Sequence, residues 1–267
     1  MTATHRPTGR TTPPNGRLAT LAGTRWAAPV LAVLFALILW ELLVLASEGW
    51  VPGSWAILQA MVSRLAEPEL YLSILITLGR IAVVFLVSFI VGTALGFAMG
   101  YWRWVDAFWR PIIAVALAIP DPVYFIMAIL IIGTGEAVSL FALILAVLPF
   151  CIGAVAGNVR ARDPKLDDMA FSYRLRGRMY LRHVLVPQMA PAIAVAARTA
   201  FAFSWKIGVL MEALIRTTGL GAEIFYAFRL FKSAEMIALA IIFIAVMRAI
   251  EILVFVRLER RLNTWRS

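Results

Sequence analysis

The stretch DDMAFSYRLRGRMYLRHVLVP, Asp167 to Pro187, interrupts a chain that is otherwise strongly apolar. It contains two aspartates and four arginines, and long apolar stretches flank it on both sides. Apolar residues also recur inside it, which a solvated loop does not need. The residues around this stretch indicate where it lies and what it contacts.

The composition is that of an integral membrane protein. Of 267 residues, 62% are hydrophobic and 15% are charged, whereas soluble domains are roughly half apolar and a quarter charged. The net charge of +10 does not indicate nucleic-acid binding, because the basic residues cluster beside apolar stretches. Cys151 lies alone in an apolar run, and His5 and His183 are far apart, so neither a disulfide framework nor a metal site is predicted.

Six apolar stretches are long enough to cross a bilayer, which takes about 20 residues. The first is too long for a signal-peptide core of roughly 7–15 residues, so we expect an uncleaved helix. The predicted fold is an all-α polytopic membrane bundle in residues 26–256. Cytosolic tails are predicted at 1–25 and 257–267, and the first of them, which is rich in Thr and Pro, is expected to be disordered. The predicted spans are Trp26–Ser47, Leu72–Gly100, Pro111–Gly133, Ala137–Val159, Gln188–Met211 and Ala234–Val256.

The distribution of Lys and Arg predicts the orientation. The two tails and the loops at 101–110 and 160–187 hold 17 of the 25 basic residues, and the opposite loops hold 4. Basic residues accumulate on the cytosolic side of membrane proteins. Both termini and the charged 160–187 loop are therefore predicted to be cytosolic.

Two features of the spans suggest how the helices pack. Gly92, Gly96 and Gly100 repeat every four residues, as do Gly153 and Gly157, and small residues at this spacing let helices approach closely. Routine bundle packing is the expected use of both sets.

A proline pair lies inside the third span, in IPDPVYF. Pro120 and Pro122 remove helical hydrogen bonds and should break or kink the helix. Irregular backbone at membrane depth is tolerated where protein buries it or water lines it. A transport pathway and a plain structural kink both remain open at this point.

The charged loop begins like a helix. Asp163 is a suitable cap and Pro164 suits the first helical position. Apolar residues then follow at helical spacing and predict one apolar stripe: Leu166, Met169, Ala170 and Tyr173.

A second short helix is predicted from 178 to 186, after Gly177 and before Pro187. The loop is thus expected to form a helix–turn–helix on the cytosolic surface. A solvated positive loop, an amphipathic segment on anionic lipid and a docking site for a cytosolic protein are the three interpretations. The apolar stripe and the Asp-Pro start favour docking.

The loop resembles the cytosolic coupling loop of ABC-importer permeases, which runs Glu-Ala-Ala, then Gly, then Ile/Val-x-Leu-Pro. Counting back from Pro187 puts Asp168 at the Glu position and Met169-Ala170 at Ala-Ala. The family glycine falls on Arg174, and the nearest glycine is Gly177. This departure predicts either a turn shifted by about one helical turn or an altered grip on the partner.

Other segments resemble the permeases of the nitrate/sulfonate/taurine type, and the matches run from about residue 70 to 266. The segment Ala116–Phe141 carries the family's proline-rich stretch and its Gly-x-Gly-Glu ending at Gly133, Gly135 and Glu136. Further matches are Leu78-Gly79-Arg80, the Trp–Glu segment SWKIGVLMEALIRTTGLG at Ser204–Gly221, and the tail RLERRLNTWR.

The resemblance implies a multi-pass subunit of a type I importer in the bacterial inner membrane. Such permeases pair in the bilayer, here as a favoured homodimer or as a heterodimer, with two cytosolic ATP-binding subunits and an extracytoplasmic substrate-binding protein. This chain has no GxxxxGK[ST] motif, so ATP hydrolysis is assigned to a separate subunit and neither a cofactor nor a catalytic residue is expected. The implied coupling residues are Asp168, Met169, Ala170, Tyr173, Arg174, Gly177 and Pro187.

Ionisable residues inside spans are candidates for contact with cargo. Lys206 needs a partner, a cavity or an anionic cargo, whereas Arg80 is expected to be architectural, Arg198 to meet backbone carbonyls, and Arg248 and Glu251 to pair locally. The predicted translocation path comprises Pro120, Pro122, Tyr124, Phe125, Trp205, Lys206 and Glu212.

The resemblance favours a small anionic cargo, such as a sulfonate, taurine or nitrate, with a pyrimidine-type vitamin precursor or an aromatic acid as alternatives. A self-contained secondary transporter would show inverted repeats, and none is clear. An intramembrane enzyme would need a catalytic constellation, which the scattered Glu48, Glu136 and Glu212 do not provide.

Overall fold

The computed structural model describes residues 27–47 and 49–257. The predicted tail at 1–25, and all of the 257–267 tail except Arg257, lie outside the described residues. The chain divides into two compact units, one ending at Ser54 and the other beginning at Trp55.

The first unit contains helix α1, Ala27–Ala46. Its length of 20 residues corresponds to about 30 Å, the thickness of a bilayer core. The Trp40 indole donates a hydrogen bond to the Pro52 carbonyl at 3.2 Å, and Glu41 accepts one from the Ser54 backbone at 3.1 Å. These contacts fold the residues after α1 back against its last turns.

The second unit is built from helices, and its described residues include no β-strand. Two π-helical turns, Leu181–Leu185 and Glu251–Val256, adjoin α-helices. The helices are α2 (Ser54–Leu65), α3 (Pro68–Tyr101), α4 (Arg103–Ala118), α5 (Asp121–Ile132), α6 (Glu136–Arg160), α7 (Pro164–Ser172), α8 (Arg178–Tyr180), α9 (Val186–Ile215), α10 (Leu220–Arg229) and α11 (Ser233–Ile250).

Four helical stretches of the described chain are long and apolar enough to cross a membrane. They correspond to the second, fourth, fifth and sixth predicted spans, and α1 corresponds to the first. The crossing stretches are Pro68–Tyr101, Glu136–Arg160, Ala192–Ile215 and Ser233–Phe255.

The third predicted span is two helices. Helices α4 and α5 are bent by 95° at the break between them, and α4 begins at Arg103 rather than at Pro111. The predicted loop at 101–110 is therefore largely helical. Ile119 and Pro120 are both extended. Ile119 is pushed out of the helical region because it precedes a proline, and Pro120 has no N–H with which to continue the hydrogen bonds of α4.

Helices α3 and α6 pack at close range through the first glycine set. A Cβ at Gly96 would lie 2.8 Å from the Val155 Cβ, and one at Gly92 would lie 2.6 Å from the Cys151 Cβ. Only hydrogen fits at these positions, which confirms the prediction of close packing. The prediction is wrong for Gly153 and Gly157 within this chain, because a Cβ at either would meet nothing within 4 Å.

The two largest apolar clusters of the second unit both include residues of α3 and α9. One joins α3, α9, α10 and α11, and the other joins α3, α5, α6 and α9. Their buried members include Leu70, Ile81, Trp205, Leu239 and Phe243 in the first, and Val84, Phe125, Leu143, Val147 and Met211 in the second.

The predicted helix end at Pro187 is wrong. The chain continues from α8 through the π-helical turn into α9, with the Val186 N–H bonded to the Leu181 carbonyl. The wider turn shifts the hydrogen-bond register, so that Pro187 occupies the first turn of α9. Pro187 has no N–H to donate, and it is accommodated directly after the π-helical turn, where the hydrogen-bond register changes.

Candidate functional site

Helix α7 begins as the sequence predicts. The Asp163 side chain accepts a hydrogen bond from the Lys165 backbone N–H at 2.9 Å, and Pro164 opens the helix. A carboxylate here also complements the positive end of the helix dipole. The cap holds the start of α7 on the surface that the charge distribution assigns to the cytosol.

Helix α7 ends in a Schellman turn at Arg174. The Arg174 N–H donates to the Phe171 carbonyl at 2.9 Å, and the Leu175 N–H donates to the Ala170 carbonyl at 2.9 Å. Arg174 has a φ of 55°, the left-handed conformation that glycine usually supplies. The expectation of a turn shifted to Gly177 is therefore wrong, because arginine adopts the glycine conformation in place. Gly177, with a φ of 54°, precedes α8.

The outward side of α7 is both apolar and charged. Asp168, Met169 and Tyr173 are exposed, and the Tyr173 side chain is 75% accessible. Ala170, in contrast, is 1% exposed and faces inward, so its burial does not support the predicted docking role. Phe171, at 78% exposed, was missed because it lies off the stripe that helical spacing predicts.

The break between α4 and α5 leaves carbonyl groups in the last turn of α4 without a helical hydrogen-bond donor. Tyr124 donates its hydroxyl to the Ala116 carbonyl at 2.8 Å, and this satisfies an acceptor in the last turn of α4. Pro120 is exposed and Pro122 is half-buried. Phe125 is completely buried in the core, so its predicted position on a translocation path is not supported by its burial.

Adjacent residues on α9 face opposite environments. Trp205 is buried and stacks on Phe243 with ring centroids 4.7 Å apart, which makes it a core residue. Lys206 is exposed and makes no hydrogen bond or ion pair with the described residues. Its charge acts on the Asp121 carboxylate at the start of α5. Sequence reasoning missed Asp121, although an acid between two intramembrane prolines was a usable signal.

Glu212 does not join Lys206. It is 1% exposed and accepts hydrogen bonds from Arg80 at 2.7 Å, from Thr77 at 2.8 Å and from the Gly221 backbone at 3.0 Å. Glu212 follows Lys206 by six positions, which rotates its side chain by about 240° around α9, so the two side chains leave on different faces. Glu212 therefore belongs to a buried ion pair, and this burial does not support its predicted place on a translocation path.

Arg80 uses all five of its N–H donors. It donates twice to Glu136, at 2.6 and 3.0 Å, and once to Glu212, and it also donates to the carbonyl and the hydroxyl of Thr218, at 2.7 and 2.9 Å. Arg216 also pairs with Glu136. We call Arg80, Glu136, Glu212 and Arg216 the outer ion cluster. The geometry agrees with the architectural role expected for Arg80.

The two carboxylates of the outer ion cluster differ in exposure. Glu212 is fully buried, whereas the Glu136 side chain is 47% exposed and faces a cavity of about 410 Å³. The outer ion cluster was not predicted, because its members are far apart in sequence, with Arg80 and Glu212 separated by 132 positions, and no local pattern links them. The other lining residues are Leu75, Ile76, Gly79, Val83, Leu140 and Thr218.

A second intramembrane ion pair joins α9 to the end of α11. Arg198 donates to Glu251 at 2.7 Å, so a carboxylate partner is present where carbonyls were expected. Arg248 also pairs with Glu251, which confirms the predicted local pair. Among the described residues no group of three His, Cys, Asp or Glu side chains is arranged to hold a metal ion.

Comparison with known proteins agrees with this architecture. Residues 88–264 match the family model described as binding-protein-dependent transport system inner membrane component. The nitrate import permease protein NrtB of Synechocystis sp. is 24% identical over 82% of this chain and 82% of its own length. The taurine transport system permease protein TauC of Escherichia coli is 26% identical over 71% of this chain and 68% of its own.

The fold is also found in a solved structure. A chain of the inward-facing MetNI methionine ABC transporter superimposes with a TM-score of 0.63 over 73% of this chain and 96% of that chain. The identity is 17%, so this likeness concerns the fold alone.

Proposed function

The chain belongs to the family of binding-protein-dependent transport system inner membrane components, and we propose that it forms the path of an ATP-driven importer for a small anion such as nitrate, taurine or another sulfonate. As an ABC importer permease, it lies in the inner membrane. Two copies of the chain would enclose the path, two cytosolic ATP-binding subunits would hydrolyse ATP, and an extracytoplasmic binding protein would deliver the cargo.

One observation carries the coupling part of this proposal. Helix α7 is capped at both ends, yet it leaves Met169 and Tyr173 exposed beside the charged Asp168. A helix that only closed a loop would not need to expose apolar side chains to water. An apolar and acidic surface of this kind suits a groove on an ATP-binding subunit. Closure of that subunit would then move the helices as rigid bodies.

The cargo part is supported by Lys206 and by the relatives. Lys206 is an exposed cation within a membrane-crossing helix, and the break between α4 and α5 lies near it. Intramembrane cations face cavities or partners because exposure to lipid is costly. The names of the relatives specify nitrate and taurine, and an anion of either kind would be attracted by the ammonium group.

A pull-down with the cognate ATP-binding subunit tests the proposed function. The native chain, solubilised under conditions that preserve the membrane complex, should retain the subunit. The variant Asp168→Arg with Tyr173→Asp should retain at least about tenfold less. A matched control is Glu69→Arg with Tyr71→Asp, which makes the same kinds of change at exposed residues near the other end of the bundle. Failure of the native chain to bind any ATP-binding subunit would overturn the proposal and favour a self-contained secondary transporter.

A further inference from the structure

Helix α7 is fastened to its own bundle through one carboxylate. The two oxygens of Asp167 accept hydrogen bonds from the Arg162 Nε at 2.8 Å and from the Tyr180 hydroxyl at 2.7 Å. The Arg162 guanidinium in turn lies over the Tyr101 ring, 5.4 Å from its centroid. We call these four residues the inner tether.

The inner tether joins α7 to three long helices. Tyr101 is the last residue of α3, Arg162 follows the end of α6, and Tyr180 lies in α8, which continues into α9. Among the described residues, one further polar contact links the capped α7 to the bundle. This is a hydrogen bond of 3.4 Å from Gln188 to the Asp163 carbonyl. The inner tether is therefore the main directional connection of α7.

Tyr180 remains a hydrogen-bond donor to Asp167 over the physiological pH range. Burial, reinforced by the hydrogen bond to Asp167, raises the pKa of Tyr180 to about 12. The phenol therefore keeps its proton and remains a donor. Asp167 and Arg162 are each about one-quarter exposed, which leaves them partly shielded from water. Charge-assisted hydrogen bonds of this kind are stronger and more directional than neutral ones.

Asp168, the next residue, faces solvent, whereas Asp167 is bonded to the bundle. Its carboxylate is exposed and has no hydrogen bond or ion pair with any residue that the structure describes. Successive residues on a helix point about 100° apart. Neighbouring aspartates on α7 are therefore divided between the bundle and the solvent.

We propose that Asp167 is a positioning residue that transmits movement of α7 to α3 and α9, whereas Asp168 contacts the ATP-binding subunit. This inference rests on the proposed function, since it requires a partner that grips α7. A nine-residue helix buries little surface, so without a directional link it would move with its partner while the bundle stayed behind. Of the two aspartates, the sequence resemblance pointed to Asp168 and not to Asp167.

The experiment measures hydrogen exchange along the whole chain in a reconstituted complex with the cognate ATP-binding subunits, with and without ATP. In the native complex, ATP should change exchange in α7 and also in the last turns of α3 and the first turns of α9. In Asp167→Asn, the affinity for the ATP-binding subunit should stay within about twofold of the native affinity. The ATP-dependent change should persist in α7 and fall at least about fivefold in α3 and α9.

The matched control is Asp168→Asn, which makes the same substitution one residue away. It should weaken subunit binding about tenfold, and at saturating subunit it should keep the ATP-dependent change in α3 and α9. Tyr180→Phe removes a single donor and should reduce the transmitted change partially, whereas Asp167→Glu, which keeps charge and acceptors, should retain at least half of it.

Distinct results would overturn the two proposals. If the native chain binds no ATP-binding subunit, the proposed function fails. If the native chain binds the subunit, three results reject the role of Asp167: an unchanged transmitted signal in Asp167→Asn, a loss of subunit binding equal to that of Asp168→Asn, or a native signal confined to α7.

Discussion

Arg174 shows how a departure from a family pattern is accommodated at a single residue. Its backbone adopts a positive φ, and two hydrogen bonds of the Schellman turn surround it. A non-glycine residue in this conformation costs roughly 1–2 kcal/mol. The position has retained the geometry of a glycine turn while adding an exposed positive charge to the cytosolic surface.

Restoring glycine at this position should stabilise the chain. We expect Arg174→Gly to raise the free energy of unfolding by about 1 kcal/mol and the melting temperature by about 2 °C. Gly177→Ala, at a φ of 54°, should produce a shift of similar size in the other direction. Thermal unfolding in detergent measures both, and equal behaviour of the two variants would contradict the strain argument.

The two carboxylates that share Arg80 should differ in their contribution to stability. Glu212→Gln removes the charge of a fully buried ion pair, and breaking such a pair typically costs about 3–5 kcal/mol. Glu136 is half-exposed, and exposed pairs contribute about 0–1 kcal/mol. We therefore expect the melting temperature to fall several degrees more in Glu212→Gln than in Glu136→Gln. Matching shifts would show that exposure does not separate their roles.

Lys206 should matter for transport and not for assembly. Its side chain is exposed and holds no ion pair with the described residues, so Lys206→Met should leave the melting temperature within about 1 °C. Uptake of labelled nitrate or taurine by cells carrying the whole system should fall at least about tenfold, because the path loses its cation. Lys232→Met changes an exposed lysine outside the spans and serves as the control. Undiminished uptake in Lys206→Met would remove it from the path.

At the scale of elements, α3 and α6 pack at close range through Gly92, Gly96 and Gly100. Gly96→Ala would place a Cβ 2.8 Å from Val155 and 2.9 Å from the Ile152 carbonyl, and the second of these is backbone that cannot rotate away. We expect a loss of about 1–3 kcal/mol. Gly157→Ala has open space around it and should stay within about 0.5 kcal/mol. The fraction that remains monodisperse after graded heating measures the difference.

Local chemistry predicted elements better than it predicted their continuation. Asp163 and Pro164 predicted the start of α7, and Pro120 and Pro122 predicted the break between α4 and α5. Both predictions were possible because caps and prolines affect the backbone within a few residues. The prediction from Pro187 was wrong because proline interrupts a helix only where its missing N–H and its ring conflict with a regular i→i−4 hydrogen-bond pattern. Here a π-helical turn precedes Pro187 and changes that pattern. Whether a proline ends a helix depends on packing several residues away.

At the scale of the whole molecule, hydropathy and charge predicted the spans, while the pairing of charges depended on the fold. The outer ion cluster joins residues 56 and 132 positions apart, and the sequence offers only isolated acids and bases at these positions. Likewise, the inward direction of Ala170 and Asp167 depends on where α7 meets the bundle. Patterns with a helical period indicate which residues share a face, and only tertiary contacts decide which face is buried.

The spacing of Arg80 and its partners also has a consequence for biosynthesis. The ribosome completes Arg80 well before either acid, with Glu136 following 56 residues later and Glu212 following 132 residues later. An unpaired arginine within an inserting helix is unfavourable by about 2.5–3.5 kcal/mol at the centre of the bilayer. Glu136 is the first of these two counter-ions to be synthesised. We therefore expect the acid with the smaller predicted contribution to stability to pair with Arg80 during insertion, until α9 delivers Glu212.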